Sequence, residues 1–444
     1  MTDSLVVPED TVRSAVGKTT FPRMGVIEQV WDADPIPTAE IESRATTAVY
    51  DLDFSAMPDG GEVAIGAGSR GIANLAAIVR GVVAGVRERG YEPFVFPAMG
   101  SHGGATAEGQ REKLDTLGVN EETVGCEIRA TMDVETVGET PERGVPVYAD
   151  ANAVAADGIV MVNRIKPHTD FSGEVESGLS KMLVIGMGKQ QGAKMAHDWA
   201  VDWSLRNMLP EITSQLLAEL PVVGGVAIVE DEHDDTTLIE GVPASDFLER
   251  ERELLEMAND RMPKLPFSEL DVLIVDRIGK DVSGQGMDTN VTGRRHFTIN
   301  EPEPESPDVK RIYLRGLTEK TKGNAMGMGQ ADFVHRDVKA DLDWSKALIN
   351  AITASTVRGV RLPPVVGNDR AGLRGALGTI GPVAGDEARV LRVTDTMRLE
   401  RCYASAPLIE AARDCDDLRV VADPQELAFD DDGEFAAPTP AGDV

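Results

Sequence analysis

Residues 158–168 have the sequence Gly-Ile-Val-Met-Val-Asn-Arg-Ile-Lys-Pro-His. The run is mostly apolar up to residue 165, as expected of a strand that is buried on both faces of a parallel sheet. Other short apolar runs and longer amphipathic segments alternate with it along the chain, at 62–67, 72–88, 93–98, 106–117, 210–220 and 223–229. This alternation predicts an α/β fold built on mostly parallel strands.

The length of the chain predicts two such domains, because 444 residues with 42% hydrophobic content exceed one ordinary core. The segment 262–268 holds two prolines and precedes another apolar run, so we place the boundary near residue 266. We expect α/β domains at 1–265 and 266–430, with the active site in the cleft between them. Residues 431–444 are acidic and rich in Pro, Ala and Gly, which predicts a disordered tail.

The charge balance limits the classes of partner. The formal net charge is −31, and such a field repels nucleic acid and anionic membranes. Only 13 of the 44 basic residues are Lys, and an acidic, Lys-poor composition indicates a salt-loving organism. Three cysteines without metal-ligand spacing favour a reducing compartment. With no 20-residue apolar run and no signal-peptide pattern, we expect a cytoplasmic protein.

Three loops with potential chemistry follow predicted strands, where open α/β sheets bind their ligands. They are Gly-Ala-Gly-Ser-Arg at 66–70, Met-Gly-Ser-His-Gly-Gly-Ala-Thr at 99–106, and Asn-Arg-Ile-Lys-Pro-His-Thr-Asp-Phe-Ser-Gly at 163–173. One His in such a loop is more often a turn residue than a catalyst. Two such loops, each with a His and with small residues that let a ligand approach the backbone, make a ligand-binding or catalytic site about as probable as two ordinary turns.

Lysines are concentrated in one segment. Four of the 13 lie between residues 166 and 194, namely Lys166, Lys181, Lys189 and Lys194. Lys, unlike Arg, can lose its proton and form a covalent link, although anion binding or chance also explains a cluster. The glycines at 186–192 have the spacing GxGxxxG, which does not complete a dinucleotide-binding fingerprint.

The set as a whole resembles the lactate racemase family, whose members carry a nickel-pincer nucleotide. The likeness covers about residues 60–200 and rests on the order and spacing of Arg70, His102, His168, Lys181 and His197. The resemblance implies that Arg70 binds the substrate carboxylate and that His102 and His168 are the catalytic acid and base. It also implies that Lys181 attaches the cofactor through a thioamide and that His197 binds nickel.

In the second domain, Ile-Gly-Lys at 278–280 and the Gly-rich stretch 283–294 look like a signature of less-studied branches of the family. Lys280 and Asn290 are therefore expected to complete the substrate pocket, with Lys280 or Arg294 replacing the usual family Lys. A long surface loop with ordinary turn glycines is the alternative.

The implied reaction is racemisation or epimerisation of a 2-hydroxy acid or sugar acid. The α-hydrogen beside a carboxylate is a very weak acid, so its removal as hydride by a pyridinium-type ring avoids a difficult proton abstraction. Two His with pKa values near neutrality suit the transfer of the hydroxyl proton on either face. Expected partners are the hydroxy acid and the cofactor-synthesis enzymes. The alternatives are a metal-dependent hydrolase or lyase using the same His cluster, and a non-catalytic nucleotide- or carboxylate-binding protein.

Overall fold

The computed structural model of the protein describes residues 5–68, 71–295 and 300–441. The chain forms two compact units, one of Ala33–Met262 and one that combines Met1–Asp32 with Pro263–Val444. The chain passes from the first of these units to the second between residues 262 and 263, whereas the sequence predicted the boundary near residue 266. The residues before 33 belong to the second unit, whereas the sequence-based division placed them in the first.

The described strands and helices, in chain order, have the following bounds. The strands are β1 Val6–Val7, β2 Met24–Gln29, β3 Glu62–Ala67, β4 Glu92–Pro97, β5 Val134–Glu139, β6 Pro146–Asp150, β7 Gly158–Arg164, β8 Val222–Glu230, β9 Thr236–Pro243, β10 Glu269–Val275, β11 Asp308–Leu314, β12 Phe333–His335, β13 Val365–Val366, β14 Val390–Val393, β15 Arg401–Ser405 and β16 Leu418–Gln425. The α-helices are α1 Glu9–Val16, α2 Ile41–Ala48, α3 Leu75–Glu88, α4 Ala107–Thr116, α5 Glu121–Val124, α6 Ala151–Ala155, α7 Leu179–Lys181, α8 Lys189–Trp203, α9 Leu205–Glu219, α10 Phe247–Arg261, α11 Thr289–Thr292, α12 Arg336–Asp341, α13 Trp344–Thr353, α14 Asp369–Leu377 and α15 Ala406–Ala412. Within the described ranges, none of the helices has the length and apolar character that crossing a bilayer requires.

The unit Ala33–Met262 is built on a sheet with the strand order β4-β3-β7-β8-β9. All neighbours are parallel except β8 and β9. Strand β7 is buried along almost its whole length, because apolar cores cover both faces of the sheet. Val160 and Val162 pack into a core with helices α2 and α3, while Ile159 and Met161 pack into another with α8, α9 and α10. The predicted parallel α/β fold is thus confirmed in this unit.

The other unit has a sheet with the order β1-β13-β12-β11-β10-β14-β15-β2-β16. The strands from β1 to β14 in this order are parallel, and the last three join antiparallel. Strand β2 pairs with β15 and β16, which lie more than 370 residues later in the chain. No local pattern in the sequence reveals such a partner, because strand pairing is a long-range contact.

The predicted disordered tail is wrong for the described residues 431–441. Phe435 is buried, and its ring stacks on Phe429 with the ring centroids 5.4 Å apart. The guanidinium groups of Arg315 and Arg392 lie over the Phe435 ring, at 5.2 and 4.8 Å from its centroid. One aromatic anchor of this kind orders a segment whose average composition indicates disorder, because burial and cation–π contacts offset the entropy of ordering.

Candidate active site

The carboxyl ends of three strands lie level at one edge of the sheet in the unit Ala33–Met262. Ala67 at the end of β3 is in register with Pro97 of β4 and with Val162 of β7. The loops that carry His102 and His168 therefore leave the sheet at the same edge, where α/β folds place their ligands. Arg70 follows β3, but it lies outside the described residues.

The loop after β7 holds His168 through a buried carboxylate. Glu176 accepts hydrogen bonds from the backbone N–H of His168 at 2.5 Å and from that of Gly173 at 3.0 Å. The His168 ring stacks on Phe171 with the ring centroids 4.7 Å apart, and its Nδ1 accepts a hydrogen bond from the Asp170 N–H at 3.0 Å. Because Nδ1 is an acceptor here, the neutral ring carries its proton on Nε2. In this neutral form, Nε2–H is the hydrogen-bond donor of the ring.

The loop after β4 exposes His102 on a tight turn. Gly103 and Gly104 both have a left-handed backbone, with φ of 64° and 66°. A Cβ atom at Gly103 would lie 2.5 Å from the backbone of Gly109, so a side chain there would disrupt the turn. Thr106 ends the loop and caps α4 by accepting from the Gly109 N–H at 3.1 Å. The loop thus presents an exposed imidazole from a well-defined backbone.

Lys181 and His197 belong to one nearly continuous helical segment. Helix α7 ends at Lys181, a π-helical turn follows at Met182–Gly186, and α8 then carries His197. Burial lowers the pKa of His197, the charge of Lys181 lowers this pKa further, and Asp170 opposes both effects. The charges of Lys181 and of Asp170, which lies in the His168 loop, thus both act on the His197 imidazole. A lowered pKa keeps the imidazole neutral at pH 7, which is the form that binds a metal.

The other lysines of the cluster differ in their surroundings. Lys194 is exposed and forms an ion pair with Asp198, one helical turn further along α8. Lys189 is completely buried and forms an ion pair with Asp150. Both of these lysines are therefore held in ion pairs with acidic side chains.

Lys280 and Asn290 lie in the other unit, in the segment between β10 and the end of α11. The ammonium of Lys280 donates to the carbonyl oxygen of Gly284 at 2.6 Å, although the residue is exposed. The side-chain oxygen of Asn290 accepts from the Arg295 guanidinium at 3.0 Å. Both residues are thus held by their own loop, and their place in a substrate pocket stays a prediction, as does the expected cleft between the units.

His335, Asp369 and Glu434 form a group of potential metal ligands that the sequence did not indicate. Both oxygens of Asp369 accept hydrogen bonds from Arg315 at 2.7 Å. The Tyr313 hydroxyl donates to the same carboxylate at 2.9 Å. A guanidinium in this position supplies the positive charge that a metal ion would bring. This group is therefore a buried hydrogen-bond network and not a candidate for the nickel site.

Comparisons with known proteins give similarity of structure only. No family model and no curated protein sequence matches the chain. The lactate racemase apoprotein from Thermoanaerobacterium thermosaccharolyticum is similar in structure, with a TM-score of 0.46, 10% identity, and coverage of 84% of this chain and 99% of that one. A Thermotoga maritima protein from a structural genomics consortium has a TM-score of 0.48, 12% identity, and coverage of 83% and 99%.

Two buried glutamates at this site were missed by the sequence analysis. Glu176 holds the His168 loop, and Glu251 holds Ser180, the residue before Lys181. Glu176 could have been noticed, because it follows the Phe-Ser-Gly motif that ends at Gly173. Glu251 carries no such signal, since it lies in a helix rich in acidic and basic residues.

Proposed function

We propose that this protein is an isomerase of the lactate racemase type, which racemises or epimerises a 2-hydroxy acid or sugar acid with a nickel-pincer nucleotide. The observation that carries the proposal is that the charges of Lys181 and of Asp170, in the His168 loop, both act on the His197 imidazole. This interaction supports a shared site for the residue that we propose as the attachment point, the proposed metal ligand and the loop of a proposed catalytic His.

The residues present suit this cofactor. Lys181 supplies the amine for a covalent link, and His197 supplies one neutral imidazole for a nickel ion with sulfur donors. When bound, the cofactor would accept and return a hydride, so the α-hydrogen would not need to leave as a proton. Stoichiometric nickel with sulfur ligation would separate this function from that of a hydrolase or lyase with an ordinary divalent metal.

The two histidines then have complementary duties in moving the hydroxyl proton. In its protonated form, His168 would donate a proton to the keto oxygen and become neutral. His102 would accept the corresponding proton on the other face of the substrate. Arg70, which lies outside the described residues, would bind the carboxylate bidentately and hold the planar intermediate.

The proposal is tested by producing the protein together with the cofactor-synthesis enzymes, followed by intact mass and metal analysis. We expect a covalent mass increase and one nickel per chain. Lys181→Arg should remove the added mass and all turnover, because Arg keeps the charge but cannot form the thioamide. His197→Ala should keep the added mass and lose nickel more readily.

A matched control is Lys194→Arg, which changes an exposed lysine of the same segment. It should retain the added mass, the nickel and the activity. Full activity in Lys181→Arg would remove the central residue of the proposal. Tight binding of a carboxylate or nucleotide without turnover would favour the non-catalytic alternative.

A further inference from the structure

Lys189 lies in the glycine-rich segment 186–192, which has no assigned role in the proposed reaction. Its side chain is completely buried, and so is that of Asp150, whose carboxylate lies 2.8 Å from the ammonium. Lys189 also has a left-handed backbone, with φ of 53°, which is uncommon for a residue other than glycine. A buried charge on a strained backbone persists only where surrounding contacts determine it.

Gly186, the first glycine of this segment, allows close packing against the residues that follow β4. A Cβ atom at Gly186 would lie 2.6 Å from the carbonyl oxygen of Ala98, so a larger residue would push the two segments apart. The same contact includes a hydrogen bond from the Gly100 N–H to the Gly186 carbonyl oxygen at 3.0 Å. The first glycine of the GxGxxxG spacing therefore reflects the approach of two backbones.

The ammonium of Lys189 contacts three different segments. It forms an ion pair with Asp150 at the end of β6, and it donates to the carbonyl oxygen of Pro97 at 2.5 Å and to the side-chain oxygen of Gln110 at 3.2 Å. The amide of Gln110, which is also fully buried, donates to the carbonyl oxygens of Gly100 at 2.8 Å and His102 at 3.3 Å. Only one side chain thus separates Lys189 from the His102 backbone.

Lys189 is at the same time the first residue of α8, the helix that carries His197, and it follows the π-helical turn that begins after Lys181. We propose that Lys189 is a positioning residue, whose ammonium fixes the His102 loop relative to the segment of Lys181 and His197. The catalytic role of His102 in this proposal rests on the proposed function. The positioning of the His102 loop by Lys189 rests only on the contacts described above.

The fixing can be tested on the cofactor-free protein by hydrogen exchange. The double variant Lys189→Met with Asp150→Asn removes both charges together, so no unpaired buried charge remains. Asn keeps an acceptor for the Asn152 N–H, which Asp150 binds at 2.8 Å. We expect amides 98–106 to exchange about tenfold faster or more, because the loop loses its anchor, while those of β8 keep the wild-type rate.

A milder variant guards against loss of folding. Gln110→Met retains the ion pair of Lys189 and Asp150 but removes both hydrogen bonds to the loop, so it should give the same local effect. The imidazole signal of His102, assigned with a His102→Gln variant, should shift in both variants in the NMR spectrum of histidine-labelled protein. Lys194→Met is the control and should change neither exchange nor the signal.

Wild-type exchange in 98–106 in both variants would overturn the proposal, and so would an increase spread equally over all strands. In the loaded enzyme, a freed loop should lower kcat with little change in KM, because His102 would be misplaced while the substrate contacts remain. If amides 98–106 exchange faster while kcat stays unchanged, Lys189 does hold the loop, but His102 has no catalytic role. The two proposals therefore fail separately.

Discussion

One oxygen of the Glu251 carboxylate accepts two hydrogen bonds from Ser180, from its backbone N–H at 2.8 Å and from its hydroxyl at 2.6 Å. Glu251 is completely buried, and a Cβ atom at Gly178 would lie 2.0 Å from its other carboxylate oxygen. Since Ser180 directly precedes Lys181, this contact fixes the backbone from which Lys181 extends. The turn that carries the proposed attachment residue is thus held by a residue 71 positions away.

Replacing Glu251 by Gln should stabilise the protein more at pH 8 than at pH 5. Burial raises the pKa of Glu251 from 4.5 to about 7, so the folded state favours the protonated carboxyl. The stability that this group contributes is fully present below about pH 4.5 and is lost as the pH rises through about 7. Gln stays neutral and keeps an acceptor for Ser180. Between pH 5 and pH 8, the unfolding free energy of the variant minus that of the wild type should therefore grow by up to about 3 kcal/mol.

Urea unfolding of both proteins at pH 5 and pH 8 measures this difference. The many other carboxylates are common to both proteins and cancel in the comparison. A gap that stays the same at the two pH values would show that Glu251 does not titrate in this range. Glu249→Gln, which changes an exposed carboxylate of the same helix, is the control.

Substitution of either proposed catalytic histidine, His102 or His168, should lower the turnover rate more than the affinity. His102→Asn and His168→Asn remove the acid–base groups, and such groups typically contribute 10²- to 10⁴-fold to a rate. We expect kcat to fall by about this factor, with KM nearly unchanged. Steady-state kinetics of the loaded enzyme provide the test. His233→Asn changes a histidine of an acidic loop and should retain wild-type kinetics, while normal kcat in either catalytic variant would exclude that residue.

Local sequence pattern was sufficient for the central parallel strands of the unit Ala33–Met262 and for the edge at which their loops emerge. The runs at 62–67 and 158–165 correspond to β3 and β7, because a strand buried on both faces must be apolar throughout. The pattern could not show which lysine is buried, since Lys181 and Lys189 flank the same apolar run at 182–188. Their difference arises from Asp150, which approaches Lys189 only after the chain has folded.

Lys280→Met tests the expected substrate contact of the second unit. The ammonium donates to the Gly284 carbonyl oxygen, so its loss should loosen the loop slightly whatever the function. If Lys280 also binds the substrate carboxylate, KM should rise about tenfold, because a charge-assisted hydrogen bond is lost. Lys346→Met, which removes another exposed lysine that bonds to a backbone carbonyl oxygen, should leave KM unchanged. Equal KM values in the two variants would show that Lys280 only holds its own loop and does not bind the substrate.

The ordered tail gives a prediction that is independent of activity. Phe435→Ala should lower the unfolding free energy of the protein by about 3 kcal/mol, since it removes a buried aromatic ring and its cation–π contacts. Those contacts join the tail to Arg315 and Arg392, which both bind the buried carboxylate of Asp276. Asp431→Ala changes an exposed neighbour and should alter stability by less than about 0.5 kcal/mol. Urea unfolding measures both, and a truly disordered tail would give no loss for either variant.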